Sequence, residues 1–247
     1  MQVVGYDTGT PALLISDGNG VEAVSLDAGT DLTYVLGDRR CAGVLGPDSH
    51  EPCNAPEAPY CPHHRSTWVC AKCTGTCLKD EMDCYDDHAV YLAVFAPVAF
   101  KVGVTKVRRL ETRLREQGAD RAAHIRTVEN GRLARKIEAG IAESVGDSVR
   151  VATKIAGLGE TVDDAAWTAL LSNFDPVRTW APDHGVTLDE RPVAETLASG
   201  RVRGTKGRVL ILERDGTTYA VDLRDLVGHE LAAGTPDRSL QSSLGAF

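Results

Sequence analysis

The apolar positions of this chain change their period along its length, and the changes predict its elements. Ala12-Leu-Leu-Ile15 and Val21-Glu-Ala-Val-Ser-Leu26 flank Asp17-Gly-Asn-Gly20, so residues 1–40 read as β with a hairpin. The layout recurs near the end, where Arg208-Val-Leu-Ile-Leu212 and Thr218-Tyr-Ala-Val-Asp-Leu223 flank Arg214-Asp-Gly216. Val24-Ser-Leu26 and Val221-Asp-Leu223 close the two second strands alike, which makes a weak two-copy repeat. A lone hairpin is marginally stable in water, so the two are expected to pack into one small β domain.

Between the hairpins the period shifts. Val90-Tyr-Leu-Ala-Val-Phe95 and Phe100-Lys-Val-Gly-Val104 form two strands joined by a proline-containing turn. Leu110 and Leu114 share a face over 107–117, which predicts a helix that Gly118 ends. His124–Val128 reads as a third strand, and Asn130 caps a helix whose inward stripe is Ala134, Ile137 and Ile141. Val162, Ala166, Trp167, Leu170 and Leu171 make 160–173 a further amphipathic helix. The stretch from Asp175 to Pro192 reads as a connector, and the polar tail after Gly234 as loose. The expected fold class is α+β. Its segments are a β-hairpin segment at 1–40, a cysteine-rich module at 41–88, an α/β unit at 89–155, a helix and linker at 156–195, and a β segment at 196–247 packing with 1–40.

Composition narrows the setting. Met1-Gln-Val-Val-Gly5 has neither the basic nor the apolar region of a secretory signal, and the apolar run Ala89–Phe100 is too short for a membrane helix, which needs about 20 residues. A cytoplasmic protein is therefore expected. Net charge is −8, with 7 lysines against 20 arginines and plentiful acids, a balance that suits a halophilic, salt-rich cytosol. The charge is uneven: residues 1–60 carry 9 acids and 2 bases, whereas residues 101–154 carry 13 bases and 7 acids. That local excess of positive charge marks a candidate phosphate-facing surface, although a solvated helix face has the same composition.

All seven cysteines fall between Cys41 and Cys84. Cys61-Pro-His-His64 and Cys70-Ala-Lys-Cys73 have the two-residue gap that lets one tight turn present two ligands to a tetrahedral ion. Seven thiols and one histidine complete two four-ligand zinc sites. Consecutive grouping gives Cys41, Cys53, Cys61 and His64, then Cys70, Cys73, Cys77 and Cys84. An interleaved grouping (Cys61, His64, Cys70, Cys73 against Cys41, Cys53, Cys77, Cys84) is equally within reach, and His63 or His88 could replace His64. Sulfur-rich closed sites are structural, holding a segment too poor in apolar residues to fold unaided. Iron–sulfur ligation by the second set is the alternative.

In the α/β unit, Ala89-Val-Tyr91 opens the first strand, Lys101-Val-Gly-Val-Thr105 closes the second, and Arg113 and Glu138 lie on the two helices. This order resembles the GIY-YIG nuclease domain. The resemblance implies that Tyr91 acts as general base or positions the attacking water, that Arg113 binds phosphate, and that Glu138 holds a Mg²⁺ or Mn²⁺ ion. Gly103 would match the glycine of the second tripeptide. Lys101 departs from the pattern by occupying the position of the second tyrosine, and Gln117 stands where a histidine is common. Lys106, Arg108, Arg109, Arg115, Arg132, Arg135 and Lys136 could hold flanking phosphates. Each residue also has a structural reading: Arg113 pairing with Glu116, Glu138 with Arg135, Tyr91 as core.

A resemblance covering more of the chain, roughly residues 40–215, is to the domain-of-unknown-function family 2797. Its specific parts here are Lys101-Val-Gly103 and Gln117-Gly-Ala119, with Cys77…Cys84, His88-Ala-Val-Tyr-Leu-Ala93, Trp167-Thr-Ala-Leu-Leu171 and Arg203-Gly-Thr-Lys-Gly207 around them. Lys-Val-Gly is usual in that family, so the resemblance implies a lysine that faces the phosphate or substrate. Family members tend to carry Cys-x-x-Cys where this chain has Cys61 and His64. Two functions follow as expectations: a metal-dependent nuclease acting on DNA or RNA, or a non-catalytic zinc-stabilised RNA-binding protein. An adaptor built on the hairpins is a third reading without a residue signature.

Overall fold

A computed structural model of the chain describes residues 1–18, 20–46, 49–65 and 85–234. The chain divides into two compact units, one made of Met1–Ser66 with His184–Phe247 and the other of Thr67–Asp183. In chain order the first stretch carries β1 (Gln2–Asp7), β2 (Ala12–Ser16), β3 (Val21–Ser25), β4 (Asp31–Arg39), β5 (Val44–Leu45) and β6 (His50–Glu51). The second unit follows with β7 (His88–Phe95), β8 (Ala99–Lys106), α1 (Leu110–Gln117), β9 (Arg121–Val128), α2 (Gly131–Val145), α3 (Val151–Ala156), α4 (Asp164–Leu171) and β10 (Arg178–Trp180). The chain then adds β11 (Val193–Ala194), β12 (Ala198–Lys206), β13 (Val209–Arg214), β14 (Thr217–Asp222), α5 (Leu223–Leu226) and β15 (His229–Ala233). Strand exceeds helix among these residues. No helix in them is long and apolar enough to cross a membrane.

In the first unit nine strands form one sheet in the order β11-β14-β13-β12-β4-β15-β1-β2-β3. The two sequence hairpins, β2–β3 and β13–β14, stand apart in it, separated by β12, β4, β15 and β1. They share a core, in which Leu13 and Ile15 cluster with Leu210, Leu212, Val221 and Leu226. Each of these side chains contributes about 1.5–3 kcal/mol when fully buried. β4 is the join: it pairs with β12 on one side (Leu32 opposite Gly200) and with β15 on the other (Leu36 opposite Leu231). Residues 1–40 and 196–233 thus interleave at the middle of the sheet, where β4 lies between β12 and β15 and β15 between β4 and β1.

The second unit is built on β7, whose eight residues are all buried. A strand with both faces covered reads as a continuous apolar run, and His-Ala-Val-Tyr-Leu-Ala-Val-Phe is one. The sheet order is β10-β9-β7-β8, so β7 is internal and β8 an edge. On one face Val90, Leu92 and Val94 pack with Val102, Ala134 and Trp167; on the other Ala89, Tyr91, Ala93 and Phe95 pack with Leu110, Leu114 and Ala122. Asn130 caps α2 by accepting from Leu133 N at 2.9 Å, and Gly118 follows α1.

Several elements differ from expectation. The helix expected over 160–173 is shorter, Asp164–Leu171, because Asp163 caps it by accepting from Ala166 N at 2.9 Å. The connector 175–192 contains β10, an edge strand on β9, and α3 was not foreseen. The residues after 234 lie outside the described part.

Candidate functional site

Cys41, Cys53, Cys61 and His64 come together in the first unit, with their ligand atoms all within 4.8 Å of one another. His64 Nδ1 lies 3.3 Å from Cys41 Sγ and 3.4 Å from Cys61 Sγ. Zinc bonds of ~2.3 Å to sulfur and ~2.0–2.1 Å to nitrogen put tetrahedral ligand atoms roughly 3.5–3.8 Å apart, so the two His64 contacts lie slightly inside that spacing and small shifts would seat an ion. This Cys₃His cluster could hold one zinc ion. The turn after Cys61, where His64 N and Arg65 N both donate to Cys61 O, sets Cys61 and His64 on one side. Gly43 N (3.4 Å) and Cys61 N (3.2 Å) donate to Cys41 Sγ and hold it in place. Gly43 has φ +69°, and a side chain there would collide with the Glu51 carbonyl of the paired strand β6. His63 is exposed, and His88 Nδ1 is engaged with Asp86 O at 2.6 Å; neither belongs to the cluster. Cys70, Cys73, Cys77 and Cys84 lie outside the described residues.

The second unit gathers a different set. Tyr91 and Gly103 are directly paired across β7 and β8, so they face the same side of the sheet, and Lys101 lies two residues along on that side. A Cβ on Gly103 would sit 2.5 Å from the Tyr91 hydroxyl, so the glycine makes room for the phenol. Tyr91 Oη accepts a hydrogen bond from Gln117 Nε2 at 2.8 Å, 26 residues away. Burial of the ring pushes the phenol above its ordinary pKa, against the pull of the Arg113 charge and the Gln117 hydrogen bond. Lys101 is half-buried. Burial pulls its ammonium below the usual lysine range, the Arg113 charge adds to this, and Glu138 and Asp147 oppose it. Among the described residues Lys101 Nζ has no ion-pair or hydrogen-bond partner.

Arg113 is half-exposed on α1 and pairs with Glu116 at 3.3 Å while its charge acts on Tyr91 and Lys101. Glu138 is a buried carboxylate on α2, the helix packed on β8, and Arg135 Nη1 donates to its Oε2 at 2.6 Å. Tyr91, Lys101, Arg113 and Glu138 are therefore within electrostatic reach of one another, and both structural pairings considered from sequence are present as well. The flanking bases are largely engaged: Lys106 and Arg108 with Asp86 (2.6 and 3.7 Å), and Arg109 with Glu116 (3.1 Å). Arg132 Nε is buried without a partner.

Sequence reasoning missed three participants. Gln117 orients Tyr91 yet leaves its own Oε1 buried and unpartnered. Lys154 donates to Gln117 O at 2.8 Å and stands over the Phe95 ring. Asp147 acts on Lys101 from the segment whose Gly146 carbonyl accepts from Val102 N. Only Gln117 left a signal, by standing where a histidine is common in the nuclease pattern. A cavity of about 280 Å³ belongs to the first unit, lined by Ser16, Arg40, His50 and Glu230 among others. Its lining includes none of the cluster thiols and none of this set.

The family model described as "Protein of unknown function (DUF2797)" matches residues 52–183, just over half of the chain. No curated protein and no solved structure matches it.

Proposed function

The chain belongs to that DUF2797 family, and from the geometry of its second unit we propose that it is a nuclease-like protein acting on DNA or RNA phosphodiesters. The observation that carries the reading is the convergence of Tyr91, Lys101, Arg113 and Glu138, drawn from two strands and two helices, on one part of the sheet. The likeness to the GIY-YIG nuclease domain is supported by the element order β7-β8-α1-β9-α2 and by the central position of β7.

Each side chain has a role in the proposed reaction. Arg113 neutralises charge building on the phosphoryl oxygens. Tyr91 keeps its proton, because burial disfavours the phenolate, and with Gln117 donating to Oη its own O–H is free to orient a water or a phosphate oxygen. That leaves Lys101 as the better proton acceptor of the two, since burial and the Arg113 charge lower its pKa whereas burial raises that of Tyr91. Glu138 would hold Mg²⁺ or Mn²⁺ through Oε1, the oxygen that Arg135 leaves open, and the residues fit a hard cation bound by few protein oxygens. Such an ion supplies Lewis-acid stabilisation of the developing charge. The Cys₃His zinc, in the other unit, is structural in this reading.

Incubation of the protein with branched DNA and structured RNA in Mg²⁺ or Mn²⁺ tests the proposal. Cleavage should fall about 10²–10³-fold in Arg113→Ala and in Glu138→Ala, the scale of losing one charge-stabilising group. Uncut substrate across the panel would remove the nuclease reading. The second reading, a non-cleaving RNA-binding protein, draws on Lys101 itself, a cation where the pattern has a tyrosine. Retained binding that weakens steeply with salt, without cut ends, would select it.

A further inference from the structure

The Lys101 amine is unusual for what surrounds it and for what it lacks. It lies half-buried on β8 beside Arg113, with the Tyr91 phenol on the adjacent strand and the Glu138 carboxylate in reach, yet among the described residues nothing hydrogen-bonds or ion-pairs it. The register puts this amine on the same face of the sheet as Tyr91 and Gly103, two residues along β8 from the glycine, where a ligand held at that face would meet it. A lysine desolvated and placed near another cation is an activated nucleophile towards carbonyls. A carbonyl flanked by phosphates exists in nucleic acids at an abasic site, where the opened sugar exposes a C1′ aldehyde. Arg113 is placed to take an adjoining phosphate.

We propose that this site is an abasic-site lyase, in which Lys101 attacks the C1′ aldehyde of an abasic nucleotide and cleaves the strand by β-elimination without a metal ion. This deepens the phosphodiester reading above and rests on it for the grip on the backbone. The Lys101 Nζ lone pair adds to C1′, and loss of one water gives the iminium. The Glu138 carboxylate takes a C2′ proton. The C2′–H electron pair forms the C2′–C3′ double bond as the C3′–O bond breaks, and the 3′ phosphate leaves as the 5′-phosphate of the downstream strand. Water hydrolyses the imine, releases an α,β-unsaturated aldehyde and restores the amine. No oxidant or reductant is consumed.

The test uses the full chain and a duplex oligonucleotide carrying one abasic site, in EDTA, with and without sodium borohydride. The expected result is strand cleavage without borohydride, and with it a covalent protein–DNA adduct that peptide mass spectrometry maps to Lys101. Lys101→Arg, which keeps the charge but has no nucleophilic amine, should reduce the adduct at least 100-fold while remaining folded by circular dichroism. Wild-type protein that gives no adduct, or an adduct mapped to another amine, overturns the inference. If Mg²⁺-dependent cleavage of intact substrate occurs without trapping, only this inference fails. If trapping occurs without Mg²⁺-dependent cleavage, the hydrolytic reading fails and this one stands.

Discussion

Lys101 is the residue at which function and stability oppose each other. Its ammonium sits among Arg113 and Arg135 and out of full contact with water, so the folded state disfavours the charge. The sign of the pH effect follows. The folded pKa lies below the unfolded one, so the folded protein binds fewer protons, and the penalty is complete below the folded pKa and fades as pH rises through it. Lys101→Met should therefore raise Tm at pH 7, with a gain of order 1 kcal/mol. The gain should narrow towards pH ~10.4, where the unfolded lysine also loses its proton. Tyr91 is shifted upward, and the stability it lends is lost as pH rises past its unfolded pKa, but this occurs in both proteins and cancels in their difference. Calorimetry across pH 6–10 checks it; a gain independent of pH would locate the penalty in packing rather than charge.

At the scale of elements, legibility in the sequence followed unbroken period. β7 and the β13–β14 hairpin were readable because their apolar residues run or alternate without interruption. β12 and β15 were not, since register shifts between Val202 and Gly204 and between His229 and Leu231 break the period of two. α3 is a six-residue piece containing Val151, Thr153 and Ile155, β-branched residues with weak helix preference. The Cys41, Cys53, Cys61 and His64 grouping could be proposed from spacing, whereas the Gln117–Tyr91 bond joins positions that only the tertiary fold brings together. The β5–β6 ribbon, which lies between Cys41 and Cys53 of the candidate zinc cluster, depends on Gly43. Gly43→Ala forces φ +69° on a residue with a Cβ and drives that Cβ into Glu51, so zinc affinity, followed by chelator competition, should fall at least tenfold. Gly140→Ala in α2 meets open space and should stabilise by about 0.5–1 kcal/mol with zinc unchanged. Equal zinc binding in both variants would detach the metal from the ribbon.

At the scale of the whole chain, the first unit has two candidate supports, a broad apolar core and a Cys₃His cluster that could hold zinc. The core includes Leu210 and Leu212, fully buried in β13, and does not involve the cluster thiols. Chelation should therefore loosen residues 41–65 without melting the sheet. In hydrogen exchange, amides of that segment should lose protection by 10-fold or more, while those of β13 keep theirs. Cooperative loss of both would mean that the metal carries the whole unit, as in small zinc-dependent domains.

The interleaving of β4 between β12 and β15 also sets a timetable. A ribosome adds about 5–20 residues per second, so after Arg39 emerges, on the order of 10–30 s pass before Ala198 follows. Through that interval β4 has neither of its neighbours, and both of its hydrogen-bonding edges stay open while β7 to β10 are being made and can pair among themselves. The nascent chain thus carries β4 as an orphan strand for most of its synthesis, while β1, β2 and β3 already have partners among themselves, so the exposed edges of that interval belong to Asp31–Arg39.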